Sequence, residues 1–250
     1  MNRDTFDWWV RMPPRGTSLA SSKGISMSEI ANRVRSNVST VVLTLLGIIQ
    51  ALAFEQLWTH VLDADALYEV SWQALTTWIQ VLATLLASIL VWLVYAVNVI
   101  RFVWLPSIYE FILPFWVGFI QLLMVQFLAP IDIGGWFIIA SVLFGTMIWI
   151  SQSTMRKARL DRGNASFFTA TTAASWSDFI PAFVMIGLFS GFGLYAVNVN
   201  TGHLINLMML LVLVSYSGFQ LRMLRIWWQR SLTVNETSAS KSSDPNPGRL

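Results

Sequence analysis

The sequence predicts an all-α protein: a polytopic bundle of six transmembrane helices with both termini on the cytoplasmic side and no sizeable soluble domain. Three observations carry this expectation. Of the 250 residues, 55% are hydrophobic and only 12% are charged, with 13 Trp and 16 Phe; that charged share is about half what an ordinary soluble domain carries. Six apolar runs are each long enough for a bilayer core about 30 Å thick, which takes roughly 20 helical residues at about 1.5 Å apiece. Finally, every Lys and Arg lies on one predicted side of those runs. Together these features exclude a soluble globule, a disordered chain and a charged coiled coil. No run alternates strictly between polar and apolar residues, which disfavours a transmembrane β-barrel. With no cysteine, there is no disulfide framework, thiolate metal site or thiol nucleophile.

Residues 1–36 form a cytoplasmic N-terminal segment. They lack the short apolar core and small-residue cleavage site of a signal peptide, so the first span reads as an uncleaved anchor. Ser26-Met27-Ser28-Glu29 has the form of a capping box, which predicts a helix starting there and running on into that span. Residues 37–220 hold the spans, at about 38–58, 77–100, 111–129, 133–150, 179–197 and 204–219. Only Pro130, Ile131 and Asp132 separate the third from the fourth, which permits a tight hairpin and nothing longer. The turn-forming Asn198-Val199-Asn200-Thr201-Gly202 joins the fifth to the sixth. Between the fourth and fifth, residues 152–177 make the longest cytoplasmic loop. Its stretch MRKARLDR continues span four as helix, and the loop is a candidate docking segment.

Residues 221–250 comprise an amphipathic basic segment and a tail. In Leu221–Arg230, Arg222, Arg225 and Arg230 are placed to contact anionic lipid headgroups, either on a helix lying in the membrane plane or on a stop-transfer flank. Residues 231–250 are rich in Ser, Asn and Pro and are expected to be disordered.

Charge sets the orientation. Arg101, Arg156, Lys157, Arg159 and Arg162 lie in the loops on the same side as both basic termini, while the opposite loops carry only Asp63, Asp65, Glu69 and Asp132. Positive loops stay in the cytoplasm, so the chain is expected in the cytoplasmic (inner) membrane with both ends inside. The net charge of +3 and pI near 9.5 thus report topology and do not imply nucleic acid as a partner. The expected partners are the lipid bilayer and either further copies of the chain or a soluble cytoplasmic protein. Trp58, Trp78 and Trp136 fall at outer ends and Trp104, Trp149, Trp176, Trp227 and Trp228 at inner ends, as an aromatic belt requires. Trp92 and Trp116 sit inside spans and read as packing residues.

An ionisable residue inside a membrane marks a functional position by default, and Glu55 is the best such residue. It neighbours Gln50, Gln56 and His60 near the outer end of span one, while Asn198, His203 and Asn206 gather at the outer junction of spans five and six. These seven residues would line an outward-facing vestibule able to bind a cation or exchange a proton. The opposing reading makes them interfacial groups that reach headgroup water cheaply. The two histidines lie on distant spans with no local ligand motif, so no metal is assigned, and no cofactor either.

Ser190 followed by His203 is similar in order to rhomboid-like intramembrane serine proteases, which would imply a catalytic Ser and His. However, Gly187-Leu188-Phe189-Ser190-Gly191 has one residue more than that family's GxSG. Gly187 and Gly191 read instead as a GxxxG helix-packing step, with the same small-residue spacing at Ala83/Ala87 and Ser141/Gly145. Six spans with both termini inside also resemble the permease subunit of an ATP-driven transporter. The loop ending Asp178-Phe179-Ile180-Pro181 is similar to the end of that family's coupling loop, but its EAA element is missing, and there is no P-loop. Tyr95–Val99 and Tyr195–Val199 repeat YAVNV at the ends of spans two and five, as two inverted three-span halves would. No motif assigns catalysis. The sequence leaves three readings: a transporter or channel for an ion or small solute, a non-transporting anchor, sensor or assembly module, and a permease subunit.

Overall fold

A computed structural model describes residues 27–102, 108–128, 132–170, 179–199 and 201–242. The described residues form helices and no strand, in the order α1 (Met27–Asp63), α2 (Trp72–Arg101), α3 (Ile108–Gln126), α4 (Ile133–Leu160), α5 (Ala165–Ala170), α6 (Ile180–Asn198) and α7 (His203–Ser242). All but the short α5 are long and apolar enough to cross a membrane, the crossing stretches being Thr40–Asp63, Trp72–Arg101, Tyr109–Gln126, Ile133–Leu160, Ile180–Asn198 and His203–Gln229. The six expected spans are therefore present, and α1, α2, α4 and α7 all outrun the apolar runs that announce them.

α1 begins at Met27, one residue after Ser26, where the capping box predicts a helix start. A one-turn helix at Asp65–Tyr68 links α1 to α2. Its carbonyl at Leu67 accepts from the Trp78 indole, and Ser71 caps α2 by accepting from the amide of Ala74. α4 continues to Leu160, as MRKARL predicts. The hairpin residues 129–131, along with Trp104 and Trp176, lie outside the described residues.

α7 runs unbroken through 40 residues, on the order of 60 Å. Two readings of the C-terminal region change with it. Residues 221–230 continue the axis of the sixth span and do not form a separate helix lying on the membrane. Helix also covers residues 231–242, whose composition predicts disorder. No Gly or Pro falls between Gly218 and Pro245, so nothing in that stretch interrupts the backbone ladder. Residues 243–250 lie outside the described residues.

α1 to α4 make the centre of the bundle. α1 packs against both α2 and α3, and α3 against α4; α6 lies along α4, and α7 along α2. The last two spans thus take different partners although only residues 199–202 separate them. α6 is the least enclosed helix: 11% of its most apolar stretch is buried, against 50% for α2. In a bilayer its remaining surface faces lipid or a neighbouring protein.

Three small-residue and tryptophan expectations change in three dimensions. A Cβ on Gly187 or Gly191 would meet nothing within 4 Å, so within this chain these two residues are not the packing step. The seam lies one face away. A Cβ on Gly134 of α4 would stand 2.8 Å from the Gly193 carbonyl oxygen, and one on Gly193 of α6 would stand 2.8 Å from the Gly134 carbonyl oxygen. Trp136, read from sequence as interfacial, is fully buried, donating to Thr84 Oγ1 at 3.1 Å and set edge-on to Phe137. Trp92 and Trp116, read as packing residues, are exposed on the bundle surface, where lipid can cover them.

The YAVNV echo is not matched by equivalent packing. Tyr95 is buried and Tyr195 exposed. α1 packs on α3, whereas α4 takes α6 and α7 takes α2, so the two three-span halves are arranged differently.

The described basic residues Arg101, Arg156, Lys157 and Arg159 end α2 and α4 at one end of the bundle, and Asp63, Asp65, Glu69 and Asp132 sit at the other. These are called the basic and acidic ends below. A microsomal insertion assay checks the orientation that this charge asymmetry implies. The acceptor patterns at Asn37, Asn164 and Asn235 all lie on the basic side and are expected to stay unglycosylated; glycosylation at Asn164 would reverse the orientation.

Candidate functional site

The polar residues expected to form an outer vestibule split into two groups attached to different helices. On α1, Gln50 is buried and donates to Gln121 Oε1 of α3 at 2.7 Å, tying two parallel helices together at depth. His60 Nε2 lies 2.8 Å from the Leu128 carbonyl oxygen, which can only accept, so the ring donates. Gln80 of α2, unremarked in the sequence, donates to the neighbouring Phe127 carbonyl at 3.0 Å. The last carbonyls of a helix have no partner within it. His60 and Gln80 therefore close the end of α3, a role that would leave both poor candidates for a solute path. Glu55 is exposed and Gln56 half-buried on α1; neither side chain makes a hydrogen bond or ion pair among the described residues.

At the α6–α7 turn, Asn206 is buried and accepts from Thr201 Oγ1 at 2.6 Å. Asn198 is exposed and donates to the Leu194 carbonyl in its own helix. His203 is exposed. Among the described residues no hydrogen bond or ion pair joins this group to the α1 group, and no cluster of three metal-ligating side chains occurs. Ser190 and His203 likewise share no hydrogen bond, the geometry a Ser–His pair needs.

A deep concavity lies at the basic end and was not announced by any motif. α2, α4, α6 and α7 enclose a cavity of about 700 Å³, within the range of ligand pockets. On α2 its wall runs from Ala87 to Arg101, about 20 Å along the axis, so it reaches from mid-membrane to the basic surface. The deep part is apolar, with Leu90, Val91, Val94, Leu143, Phe144 and Met147. Towards the basic end come Asn98, Ser151, Gln152 and Gln220, and then Arg101, Arg156 and Arg159. Among the described residues, those three guanidinium groups are the charged groups of its lining, and no carboxylate lines it.

The short α5 positions two of the arginines. Phe102, Phe167 and Phe168 form an aromatic shelf, with Phe102 edge-on to Phe167 at 5.2 Å and stacked with Phe168 at 5.5 Å. The Arg101 guanidinium lies 4.9 Å above Phe102 and 4.8 Å above Phe167, and that of Arg159 lies 5.4 Å above Phe168. Each is a cation–π distance, and such contacts hold a guanidinium flat without neutralising it. The Arg101 Nε–H is buried and has no acceptor. Among the described residues no ion pair holds Arg101, Arg156 or Arg159. The adjacent Lys157, by contrast, pairs with the buried Glu110 of α3 at 2.8 Å. The site is therefore a hydrophobic slot ending in uncompensated positive charge, suited to a molecule with an apolar body and an anionic end.

Sequence reasoning found the arginines as topology markers and missed them as a site, because α2, which carries Arg101, and α4, which carries Arg156 and Arg159, are distant in the chain, as are α6 and α7, which complete the slot. The available signal was limited to Arg101-Phe102 and to the Phe167-Phe168 pair in the loop that follows Arg159. Of the C-terminal arginines, Arg222 and Arg225 are exposed on α7, while the Arg230 side chain lies outside the described residues. Leu224 and Trp227 of that same stretch line the cavity. Of the permease-like loop end, Phe179 and Pro181 line the mouth of the cavity, and Asp178 lies outside the described residues.

Six apolar membrane-length helices, four of them lining a deep slot, make this a multi-pass membrane protein of the helix-bundle class. Compared with protein-family models, curated proteins and solved structures, the chain matches none.

Proposed function

We propose that the protein is a transporter of a molecule with an apolar body and an anionic end, with the α2–α4–α6–α7 cavity as its binding site and the basic end facing the cytoplasm. The observation that carries this reading is the cavity's charge: three arginines without ion-pair partners among the described residues, at one end of a slot whose deep part is apolar. Holding unpaired cations beside hydrocarbon is costly, and such residues mark substrate or ion pathways. Two further features support movement. Little of α6 is buried, and α6 and α7 hold to different helices, α4 and α2, so either pair can shift against the other. Elements with few buried apolar contacts are where conformational change concentrates.

Uptake of radiolabelled benzenesulfonate and of glycerol phosphate into reconstituted vesicles tests the proposal. Arg156→Gln/Arg159→Gln is expected to cut uptake by about ten-fold or more, since each lost charge contact costs on the order of 1 kcal/mol. Equal uptake with and without the protein would end the transport reading. Loss of flux in Glu55→Gln, with Arg156→Gln/Arg159→Gln unaffected, would move the pathway to the acidic end.

A second reading, a membrane module that anchors a soluble partner, is favoured by the exposed Arg222 and Arg225 on the helical extension of α7. It requires that deleting residues 231–250, or breaking the segment 152–177, abolish function while cavity variants remain active.

A further inference from the structure

We infer that the cavity takes an anionic glycerophospholipid from the leaflet at the basic end, entering sideways between α6 and α7. This inference rests on the cavity being the functional site, and it names the class of ligand.

Depth is the first reason. The slot begins at Ala87, about midway along α2, and ends at Arg101, so it covers about one leaflet, half of a hydrocarbon core about 30 Å thick plus its headgroup layer. Its apolar walls then lie at acyl-chain depth and its guanidinium groups at phosphate depth. A water-soluble anion would need the charge but would leave the deep apolar half unfilled.

The lip is the second reason. α6 contributes only its first turn to the wall, at Phe179, Pro181 and Ala182, while α7 contributes residues from Tyr216 to Trp227 on the facing side. Exposed apolar side chains at that level are Ile180 and Phe183 on the first turn of α6, and Phe219 and Met223 on α7, the last two lining the cavity. An entrance for a hydrated solute would expose polar groups to water, whereas these residues face the bilayer at no cost. Lipid tails can therefore lie across this lip while the headgroup reaches the arginines.

The positive end is the third reason. Arg101 and Arg159 are held over the Phe102–Phe167–Phe168 shelf, and the buried Nε–H of Arg101 still lacks an acceptor. A phosphate oxygen supplies one, and guanidinium matches phosphate in both geometry and charge. Basic pockets between transmembrane helices on this side of a membrane recognise anionic headgroups in the same way.

The test is native mass spectrometry of the full chain released from vesicles holding equal amounts of phosphatidylglycerol and phosphatidylcholine. The wild-type chain is expected to retain phosphatidylglycerol about ten-fold over phosphatidylcholine, and Arg156→Gln/Arg159→Gln to reduce that preference about five-fold or more. Val94→Trp, which fills the apolar part of the slot, is expected to release both lipids. Equal retention of the two lipids by the wild-type chain overturns the inference, as does an unchanged preference in the double variant. Uptake of benzenesulfonate or glycerol phosphate with no lipid preference would remove the phospholipid and leave the transport reading standing, so the two can fail separately.

Discussion

Gly193→Leu is expected to lower the melting temperature of the purified protein by on the order of 5–10 °C, while Gly187→Leu leaves it within about 1 °C. The two glycines lie six positions apart on one helix and differ only in what they face. A Cβ on Gly193 would stand 2.8 Å from the Gly134 carbonyl oxygen and 3.1 Å from the Ile138 backbone nitrogen. In return, one on Gly134 would stand 2.7 Å from the Val197 nitrogen. Backbone meets backbone here, and no change of rotamer can make room, so a side chain forces α6 away from α4. Overpacking a tight seam costs about 1–3 kcal/mol. The effect is not diluted by other attachments, because α6 is buried over only 11% of its most apolar stretch. Its remaining anchor is aromatic: Phe189 is fully buried and stacks on Phe137 at 5.7 Å, and Phe192 meets Phe137 edge-on at 5.0 Å. Thermal melting of both variants in the same detergent provides the comparison. If Gly187→Leu is as damaging as Gly193→Leu, the seam is misplaced.

Trp136→Ala is expected to cost about 3–5 kcal/mol of stability, and Trp136→Phe about 1 kcal/mol. Trp136 is fully enclosed between α2 and α4, so truncation removes a large buried ring and leaves a cavity that rigid helices cannot close. Its indole also begins a polar relay across three helices. Trp136 Nε1 donates to Thr84 Oγ1, Thr84 Oγ1 donates to the Gln80 carbonyl at 2.9 Å, and Gln80 Nε2 donates to the Phe127 carbonyl at the end of α3. The phenylalanine variant keeps most of the packing and breaks only the first link. Thr84 can still donate within α2, which is why the loss is that of one interhelical hydrogen bond. Denaturation in mixed micelles measures both variants. A Trp136→Ala protein as stable as Trp136→Phe would mean that packing contributes little at this position.

Both predictions concern residues whose type was visible in the sequence and whose role was not. Trp136 stands at the end of an apolar run, where an indole usually anchors to headgroups. Here the ring is fully buried, and Thr84 of α2 replaces water as the acceptor. Gly187 and Gly191 have the spacing of a packing step, but spacing identifies a face of a helix without identifying which face a neighbour covers. Gly193 is one such neighbour-facing residue, and its counterpart Gly134 lies on a different helix with no pattern linking the two. His60 and Gln50 illustrate the same point for polar groups. Each resembled part of an open vestibule, and each is bonded to α3, at the Leu128 carbonyl and at Gln121.

The sequence by itself determined the six spanning helices and which of their ends are basic. These properties depend on local quantities: the length of an apolar run against the thickness of a bilayer, and the sign of charge in each loop. Tertiary structure alone decided that Arg101, Arg156 and Arg159 line the end of one apolar slot, because this requires α2 to lie beside α4, with α6 on α4 and α7 on α2 completing the walls. In lipid, hydrophobic patterning does not select a helix's partners, since hydrocarbon surrounds every apolar face equally well. Close backbone approach and a few buried hydrogen bonds make that selection, and both are relations between residues far apart in the chain.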